Sequence, residues 1–420
     1  MELEEDRLSR LPKIILHHIL SRLSEKDRAK TSVYSKAWLD TWCTFPILSF
    51  CDDRIIGMSP ARPMEDKMKK RKIFGFCDYV KRRMLKFHDQ KLAIKEFQLK
   101  MYSLGLCQIS KDVDIWLKLA CECGVEVIEY SQWVGNSQYN YYALPSCVIE
   151  AKSLTKLLLD GFIMIDPILL NYSIKFSSLR VLSLNRVLLG DERAINHLIS
   201  FCPLIEYITL DSCQMLNFGG GTRKLMKSLS ISGLQKLKSV DVSGIKYVSI
   251  DAPGLESLCY FPNGRNHDGP TKIDFDRCRN LKELYLVSVA STFFTNNWFL
   301  ELFMKFPFLE SLKLNNCDMP KKIDISSVQL KALELTNCSN LKEVNVDSPN
   351  LLSFGYNGID TSEPTISFLK NSSQLEVYIH IAVDYEDLCN LREFVQNIKP
   401  HNVLTTLFLL ISESEVVSMN

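Results

Sequence analysis

The residues of this chain that could do chemistry do not converge in the sequence. Fourteen cysteines are scattered along 420 residues, several inside apolar patterns, where a reduced thiol serves as a small core residue. Cys121 and Cys123 flank a glutamate, but no second Cys or His pair stands at zinc-site spacing. His17 and His18 lie on a predicted helix and read as a surface pair. Gly219-Gly220-Gly221 lacks the Gly-Lys-Ser/Thr that completes a phosphate cradle, so it reads as a loop. Neither Gly-x-Ser-x-Gly nor His-Glu-x-x-His occurs. Catalytic residues, a metal and a cofactor are all expected to be absent, which points away from an enzyme and towards a binding protein.

Bulk properties narrow the partners. The net charge is +1, whereas a nucleic-acid binder would show a basic face. No apolar run approaches the roughly 20 residues of a membrane helix. The first residues, Met-Glu-Leu-Glu-Glu-Asp, are acidic and polar, unlike a signal peptide. The expected compartment is the cytoplasm, the nucleus, or both. One basic run, Asp66 to Lys72, reads first as a solvated segment before a helix and second as a nuclear localisation signal. After it, Phe74, Cys77, Val80 and Leu85 form a helical stripe, with Lys81, Arg82 and Arg83 outside it.

Binding capacity concentrates between Asp6 and Phe50. Pro12 opens a first helix, and Ile14, Ile15, Leu16, Ile19, Leu20 and Leu23 give it a stripe wider than one amphipathic face needs. Ser24 to Asp27 break it. A second helical run carries Ala29, Val33 and Tyr34, and a third carries Ala37, Trp38, Leu39 and Trp42 before Pro46 ends it. About forty-five residues cannot bury a self-sufficient core, so a partner or the rest of the chain must complete the module.

Asp6-Arg7-Leu8-Ser9, Leu11-Pro12, Ile19-Leu20-Ser21, Leu23, Lys26-Asp27, Thr31-Ser32, Ser35-Lys36, Trp38 and Trp42 follow in order, and the stretch resembles the F-box in its plant form. Lys13, where an acidic residue is common, and Ala37, where arginine is frequent, depart from that pattern. The resemblance implies docking on the Skp-type adaptor of a cullin–RING ubiquitin ligase. Carried over residue by residue, it makes Leu11, Pro12, Ile15, Ile19, Leu20 and Leu23 the adaptor contacts, while Trp38 and Trp42 pack the module or seat it on its neighbours.

The rest of the chain repeats Leu-x-x-Leu-x-Leu, a short strand whose apolar residues face one core. Units run Ile94/Phe97/Leu99, Val125/Ile128/Tyr130, Leu154/Leu157/Leu159, Leu179/Leu182/Leu184, Ile205/Ile208/Leu210, Leu281/Leu284/Leu286, Leu309/Leu312/Leu314, Leu330/Leu333/Leu335 and Leu404/Leu407/Leu409. Cys213, Cys317 and Cys338 follow three of them as capping residues of the turn. Spacings of 25 to 28 residues leave room for a helix, expected at Gly190 to Phe201 (Ala194, Ile195, Leu198 and Ile199 inward) and at Asn297 to Phe306 (Trp298, Leu302 and Phe303 inward). Elsewhere the period shortens to 21, and half-period units appear at Leu237, Ile245, Leu255 and Leu341. There the outer face should be extended chain.

This is the pattern of a leucine-rich-repeat (LRR) solenoid. An F-box followed by such repeats resembles the plant F-box/LRR proteins, including those with an FBD-type C-terminal region. Tyr142 to Leu154 and Asp112 to Leu117 also look like that family, with Trp116 a core residue of the first helical turn. The fold class is therefore α/β, a small helical F-box followed by an LRR horseshoe with a mixed helical and extended outer side. Expected domains are the F-box (1–50), a linker and connecting helix (51–90), the solenoid (91–370) and an FBD-like C-terminal region (371–420). In the last, Leu375, Val377, Ile379 and Ile381 alternate, a helix spans Tyr385 to Ile398, and a strand spans Val403 to Ile411.

The function implied is that of a non-catalytic substrate receptor of an SCF-type ligase, whose repeats hold a target protein. Candidate target-facing positions are Thr155, Lys156, Arg180, Ser183, Lys282, Tyr285, Lys313, Lys331 and Glu334. Two rivals make different demands. A small-molecule co-receptor would need a basic pocket inside the horseshoe. A ligase-independent scaffold, or a decayed duplicate, would not bind the adaptor.

Overall fold

A computed structural model describes residues 11–52, 66–102, 106–133, 141–166, 176–190, 192–216, 223–262, 272–295, 297–358, 364–383, 398–399 and 406–413. Asp6 to Ser9, Gly219 to Gly221, Leu404 and most of the expected Tyr385 to Ile398 helix lie outside these residues. The chain forms two compact units, Met1–Ile205 with Cys213–Lys224, and Glu206–Ser212 with Leu225–Asn420.

The first unit begins with helices α1 (Lys13–Ser21), α2 (Glu25–Thr31) and α3 (Lys36–Cys43). Pro12 is extended (ψ 143°) and sets the first helical residue at Lys13. Ser24 starts α2, its Oγ accepting the N–H of Asp27. Ser35 does the same for Trp38 at the start of α3, since a serine oxygen satisfies a donor that the helix leaves orphaned. Helix α2 ends at Thr31, so Val33 and Tyr34 belong to the following turn and not to the helix expected to carry them. Leu16, Leu20, Trp38 and Phe45 form the buried centre of this module, with Leu11, Ile19, Leu23, Trp42 and Ile47 half-buried around it.

The chain then turns directly into strand β1 (Ile47–Cys51). This strand pairs in parallel with β2 (Glu96–Met101), which pairs with β3 (Val127–Gln132). Strands 156–161 and 181–185 continue the ladder. The boundary expected after residue 50 thus falls inside the first strand of the repeat sheet. Registry aligns the apolar residues of successive coils. Leu48, Phe97, Ile128, Leu157 and Leu182 form one inward column. Phe50, Leu99, Tyr130, Leu159 and Leu184 form the other, and all ten are buried. Each inward leucine stabilises the fold by roughly 1.5–3 kcal/mol relative to an exposed one.

Outside the ladder this unit carries helices, among them α4 (Asp66–Asp89) and α5 (Leu106–Glu122), and a five-stranded sheet of the short strands 142–143, 163–165, 188–189, 214–216 and 223–225. On α4 the buried residues are Phe76, Val80, Met84 and Phe87, while Phe74 is 75% exposed. The expected stripe through Phe74, Cys77 and Leu85 is therefore out of phase, and Arg83 faces inward. Trp116 on α5 is fully buried, its ring edge-on to Phe76 at 6.0 Å. The helix Glu192–Ser200 buries Ala194, Ile195, Leu198 and Ile199, as its periodicity requires.

The second unit repeats the scheme with parallel inner strands at 207–211, 239–243, 257–261, 283–287, 311–315, 332–336, 353–358, 376–383 and 406–413. Its outer layer is largely strand. Strands 228–232, 247–251 and 272–274 pair in parallel, as do 322–326, 343–348, 365–371 and 398–399. The half-period units at Ile245 and Leu341 fall on this layer, which is the extended outer face that their spacing predicts. One helix, Trp298–Lys305, lies between the two outer sheets; it buries Phe299 and Leu302, while Trp298 and Phe303 are only half-buried. The final described inner strand is Thr406–Glu413, which overlaps the expected Val403 to Ile411 and runs two residues beyond it, while 403–405 lie outside the described residues.

A common turn ends the inner strands. Arg186, Gly244, Ser288, Asn316 and Asn337 have φ between 52° and 79°, and the residue after each continues towards the outer layer. In the second unit the N–H of Ser288, Asn316 and Asn337 reaches the next coil's Asn315, Thr336 and Asn357 carbonyls. Cys317 and Cys338 follow two of these turns, donating S–H to the Leu286 and Leu314 carbonyls. Cys213 donates likewise to Leu184. Burial pushes the Cys317 thiol up to about 11 and Cys338 up to about 12. A thiol so held is a packing group and not a nucleophile.

Gly161 is the most constrained position of the ladder. It has φ +97°, and a Cβ there would stand 2.1 Å from the Gln132 carbonyl oxygen. Gly161→Ala is expected to destabilise the first unit by about 3 kcal/mol or more, the sum of left-handed strain and a backbone clash. Urea unfolding followed by circular dichroism measures this.

Candidate functional site

The helical module has two apolar sides with different fates. Leu16 and Leu20, one turn apart on α1, are 2% and 0% exposed and pack on Trp38 and Phe45. On the other side of α1, Ile14 is 76% exposed and Ile15 is 43% exposed. Val33, Tyr34 and Leu39 are also exposed. Of the six residues read as partner contacts, Pro12 and Ile15 are exposed, and Leu11, Ile19 and Leu23 are half-buried. Leu20 is wholly internal, so its role is to hold the module's shape and not to meet a partner. Ile14, Val33, Tyr34 and Leu39, which are not among those six, are the other exposed large apolar residues described on the module. Sorting the first helix by its 3.6-residue turn would have separated Ile14 and Ile15 from Leu16 and Leu20. Nothing local marks Val33 and Tyr34, because they leave the surface only if α2 continues.

His18 is exposed, as a surface residue should be, but His17 is not its equal. Its ring lies edge-on to Phe45 at 5.4 Å, and burial with nearby Lys13 lowers its pKa. Lys13 itself pairs with Asp40 at 3.2 Å across α1 and α3. Both partners are exposed, so the pair contributes at most about 1 kcal/mol.

Two arginines fasten the module to the repeats. Arg28 is 7% exposed. Its Nε donates to the Leu20 and Leu23 carbonyls, both at 2.9 Å, and its Nη1 donates to the Ile47 carbonyl at 3.1 Å. It thereby joins the end of α1 to the start of β1. Arg83, from α4, donates to the carbonyls of Trp42 (3.1 Å) and Cys43 (3.3 Å) at the end of α3. A cation is favoured at a helix C-terminus. The Arg83 guanidinium also stacks 4.2 Å from the Trp42 ring centroid. Trp38 therefore packs the module, and Trp42 seats it on the neighbouring helix.

Glu25 completes the seam. The Tyr79 hydroxyl donates to its Oε1 at 3.0 Å, and Arg28 stands 3.5 Å from Oε2. Burial raises the Glu25 carboxyl above its ordinary range, against the opposing pull of Arg83, Tyr79 and Arg28.

On the repeats, the predicted surface positions fall into rows. Thr155 and Arg180 share one row before their strands, since the Arg180 N–H bonds to the Thr155 carbonyl. Lys156 opens its strand and Ser183 lies mid-strand, in register with Leu158. In the second unit Tyr285, Lys313 and Glu334 are adjacent in one row. Lys282 and Lys331 precede their strands and pair with Glu256 and Glu310, each at 2.9 Å. Lys313 pairs with Glu334 at 3.0 Å. A cleft of about 500 Å³ opens beside this last pair, so its lysine is already neutralised and the cleft is not basic. Among the described residues no group of three or more His, Cys, Asp or Glu could hold a metal ion, and no helix is long and apolar enough to cross a membrane.

Comparison with known proteins agrees with this division. The F-box domain family matches residues 8–50. The LRR repeats of FBD-associated F-box protein At5g56370 match residues 113–290, and the LRR domain of At1g61320/AtMIF1 matches residues 269–419. The F-box protein At3g62430 of Arabidopsis thaliana is 28% identical over 271 residues, 62% of this chain and 56% of the relative. The putative F-box/LRR-repeat protein At3g18150 is 29% identical over 257 residues, 60% and 47% respectively. The F-box/FBD/LRR-repeat protein At1g13570 is 29% identical over 246 residues, 57% and 54%, both from the same organism. The matched stretch spans about half the length of these relatives.

The seam makes two measurable demands. Arg83→Met removes the side-chain donor to the Trp42 and Cys43 carbonyls and should weaken the seam by about 2–3 kcal/mol, read as lost hydrogen-exchange protection in α3 while the strands 283–287 and 311–315 keep theirs. Glu25 sets a pH dependence. Its raised value favours the folded seam fully below the ordinary glutamate value near ~4.3, and that contribution is lost as pH rises through the raised value. Protection of α2 should therefore decline over that rise, and Glu25→Gln should flatten the decline.

Proposed function

Because the chain is an F-box protein with leucine-rich repeats, we propose that it is the substrate-recognition subunit of an SCF-type E3 ubiquitin ligase, working in the cytoplasm or nucleus. The F-box would bind a Skp-type adaptor and through it a cullin–RING ligase, and the repeats would hold a target protein. The observation that carries this reading is the exposure of Ile14, Ile15, Val33, Tyr34 and Leu39 on a module whose other side is already closed by its own chain. Five large apolar side chains left out of a finished core are the signature of a surface that a partner covers. Pro12 and the half-buried Leu11, Ile19 and Leu23 border it.

Arg28, Arg83 and Glu25 make the attachment of this module to the first repeats stiff, which suits a receptor. A rigidly presented target loses less freedom on transfer than one held on a tether. Ubiquitin chemistry would belong to the other subunits, and this chain would contribute position alone.

Co-purification with a recombinant Skp-type adaptor tests the reading. The wild-type chain should bind with a Kd of about 1 μM or tighter. Ile14→Asp/Tyr34→Ala should weaken binding by about 100-fold or more, since buried apolar and aromatic anchors dominate such interfaces. Both side chains are exposed in the free chain, so thermal stability should hold. A wild-type chain that fails to bind any such adaptor would replace this reading with that of a ligase-independent scaffold.

A further inference from the structure

The inner face of the second unit carries an ordered row of side chains with one gap. In register across adjacent strands stand Thr209, Asp241, Cys259, Tyr285, Lys313, Glu334, Gly355 and Tyr378. Only Gly355 has no side chain to present. Its backbone does not demand glycine, because its φ lies outside the left-handed region that excludes other residues. Space does not demand it either. A Cβ there would meet Glu334 Cγ at 3.3 Å, and that is a flexible side chain. Glycine inside a strand nevertheless costs stability, and it is characteristic of places where another molecule approaches the backbone.

The gap is the floor of the cleft of about 500 Å³ noted above. Glu334 flanks it on one strand and Tyr378 on the other. Two strand spacings, about 9–10 Å, separate those neighbours, which leaves room for one large side chain between them. Glu334 is held by Lys313 at 3.0 Å. Tyr378 is 41% exposed and donates its O–H to Glu376 at 2.7 Å. Asn357 and His380, one row along, complete the lining.

We propose that this cleft receives one large uncharged side chain, aromatic or aliphatic, from an extended segment of the target protein. The charge pattern selects for neutrality. Lys313 and Glu334 pair with each other at 3.0 Å, so neither presents an unmatched charge to a guest. The polar border selects for a peptide. The carboxamide of Asn357 offers both a donor and an acceptor, as a guest's own peptide groups require. The Tyr378 ring supplies apolar area at low conformational cost. The proposal rests on the target-receptor reading above, and specifies which part of the repeats meets the target and with what.

Selection of short random peptides displayed on phage against the intact chain tests it. Enriched sequences should share one large uncharged residue. Synthetic copies should bind about tenfold or more weakly to Gly355→Leu, which fills the gap, and to Tyr378→Ala, which removes the wall. They should bind Ser239→Leu, far along the same face, like the wild type. Absence of enrichment, a shared charged residue, or undiminished binding to Tyr378→Ala would each overturn the proposal. Adaptor co-purification of each variant keeps the two readings apart. A variant whose strands 332–336 and 376–383 keep wild-type hydrogen-exchange protection has a folded second unit, so lost peptide binding then reports on the cleft alone. A chain that selects peptides but never binds adaptor fails the ligase reading and leaves the cleft intact.

Discussion

A single coil of this chain cannot bury its own apolar face. Each inner strand turns two large residues inward, and these are covered only when the strands on either side do the same. The parallel ladder must therefore continue from coil to coil, with registry that keeps Leu above Leu. That condition governs the N-terminal module as well. Its last segment, Ile47–Cys51, is the strand on which β2 is laid. The F-box is consequently a part of the first coil, joined by backbone hydrogen bonds as well as by sequence. Arg28 and Arg83 then add charged donors to the helix-end carbonyls at this close docking.

The outer layer follows from the same ladder through the length of chain available. Although the 26-residue step from Leu255 to Leu281 carries an outer strand, Lys272–Asp274, return paths of 25 residues or more can accommodate a helix, as at Glu192–Ser200. Paths of 21 residues do not, and strands such as Lys322–Ser326 and Glu343–Ser348 replace it. An extended residue advances about 3.3 Å and a helical one 1.5 Å, so a strand crosses the same width with fewer than half the residues. The outer strands then pair with one another, which satisfies their backbone groups without help from side chains.

Two exposed surfaces among the described residues differ in kind. The exposed side of the F-box is apolar and comes from helix and turn residues that the core did not take. The inner face of the second unit is mixed in charge and largely self-neutralised, with Lys282–Glu256, Lys313–Glu334 and Lys331–Glu310 tied rung to rung. Such exposed pairs add little stability. Their effect is to remove long-range charge from the face, which leaves shape and local hydrogen-bonding groups as its main features.

Much of this was legible from residue order alone. The F-box was legible through its resemblance to a family motif, whereas the repeat unit, its inward residues and the alternation of helical and extended outer faces depend on local periodicity, which a strand or helix imposes within a few residues. Trp116 as a core residue and the helix at Glu192–Ser200 were read on that basis. Other features were decided by contacts between segments far apart in sequence. Arg83 belongs by composition to a solvated basic run, yet it is buried because the end of α3, forty residues earlier, needs donors. The phase of α4 follows from what it packs against, and so Phe76, and not Phe74, is inside. Leu20 and Ile14 are equally apolar neighbours on one helix, and only the position of Trp38 and Phe45 decides which faces inward. The gap at Gly355 is invisible in a strand read singly. It exists because registry places Glu334 and Tyr378 on either side of it, and registry is a property of the assembled sheet.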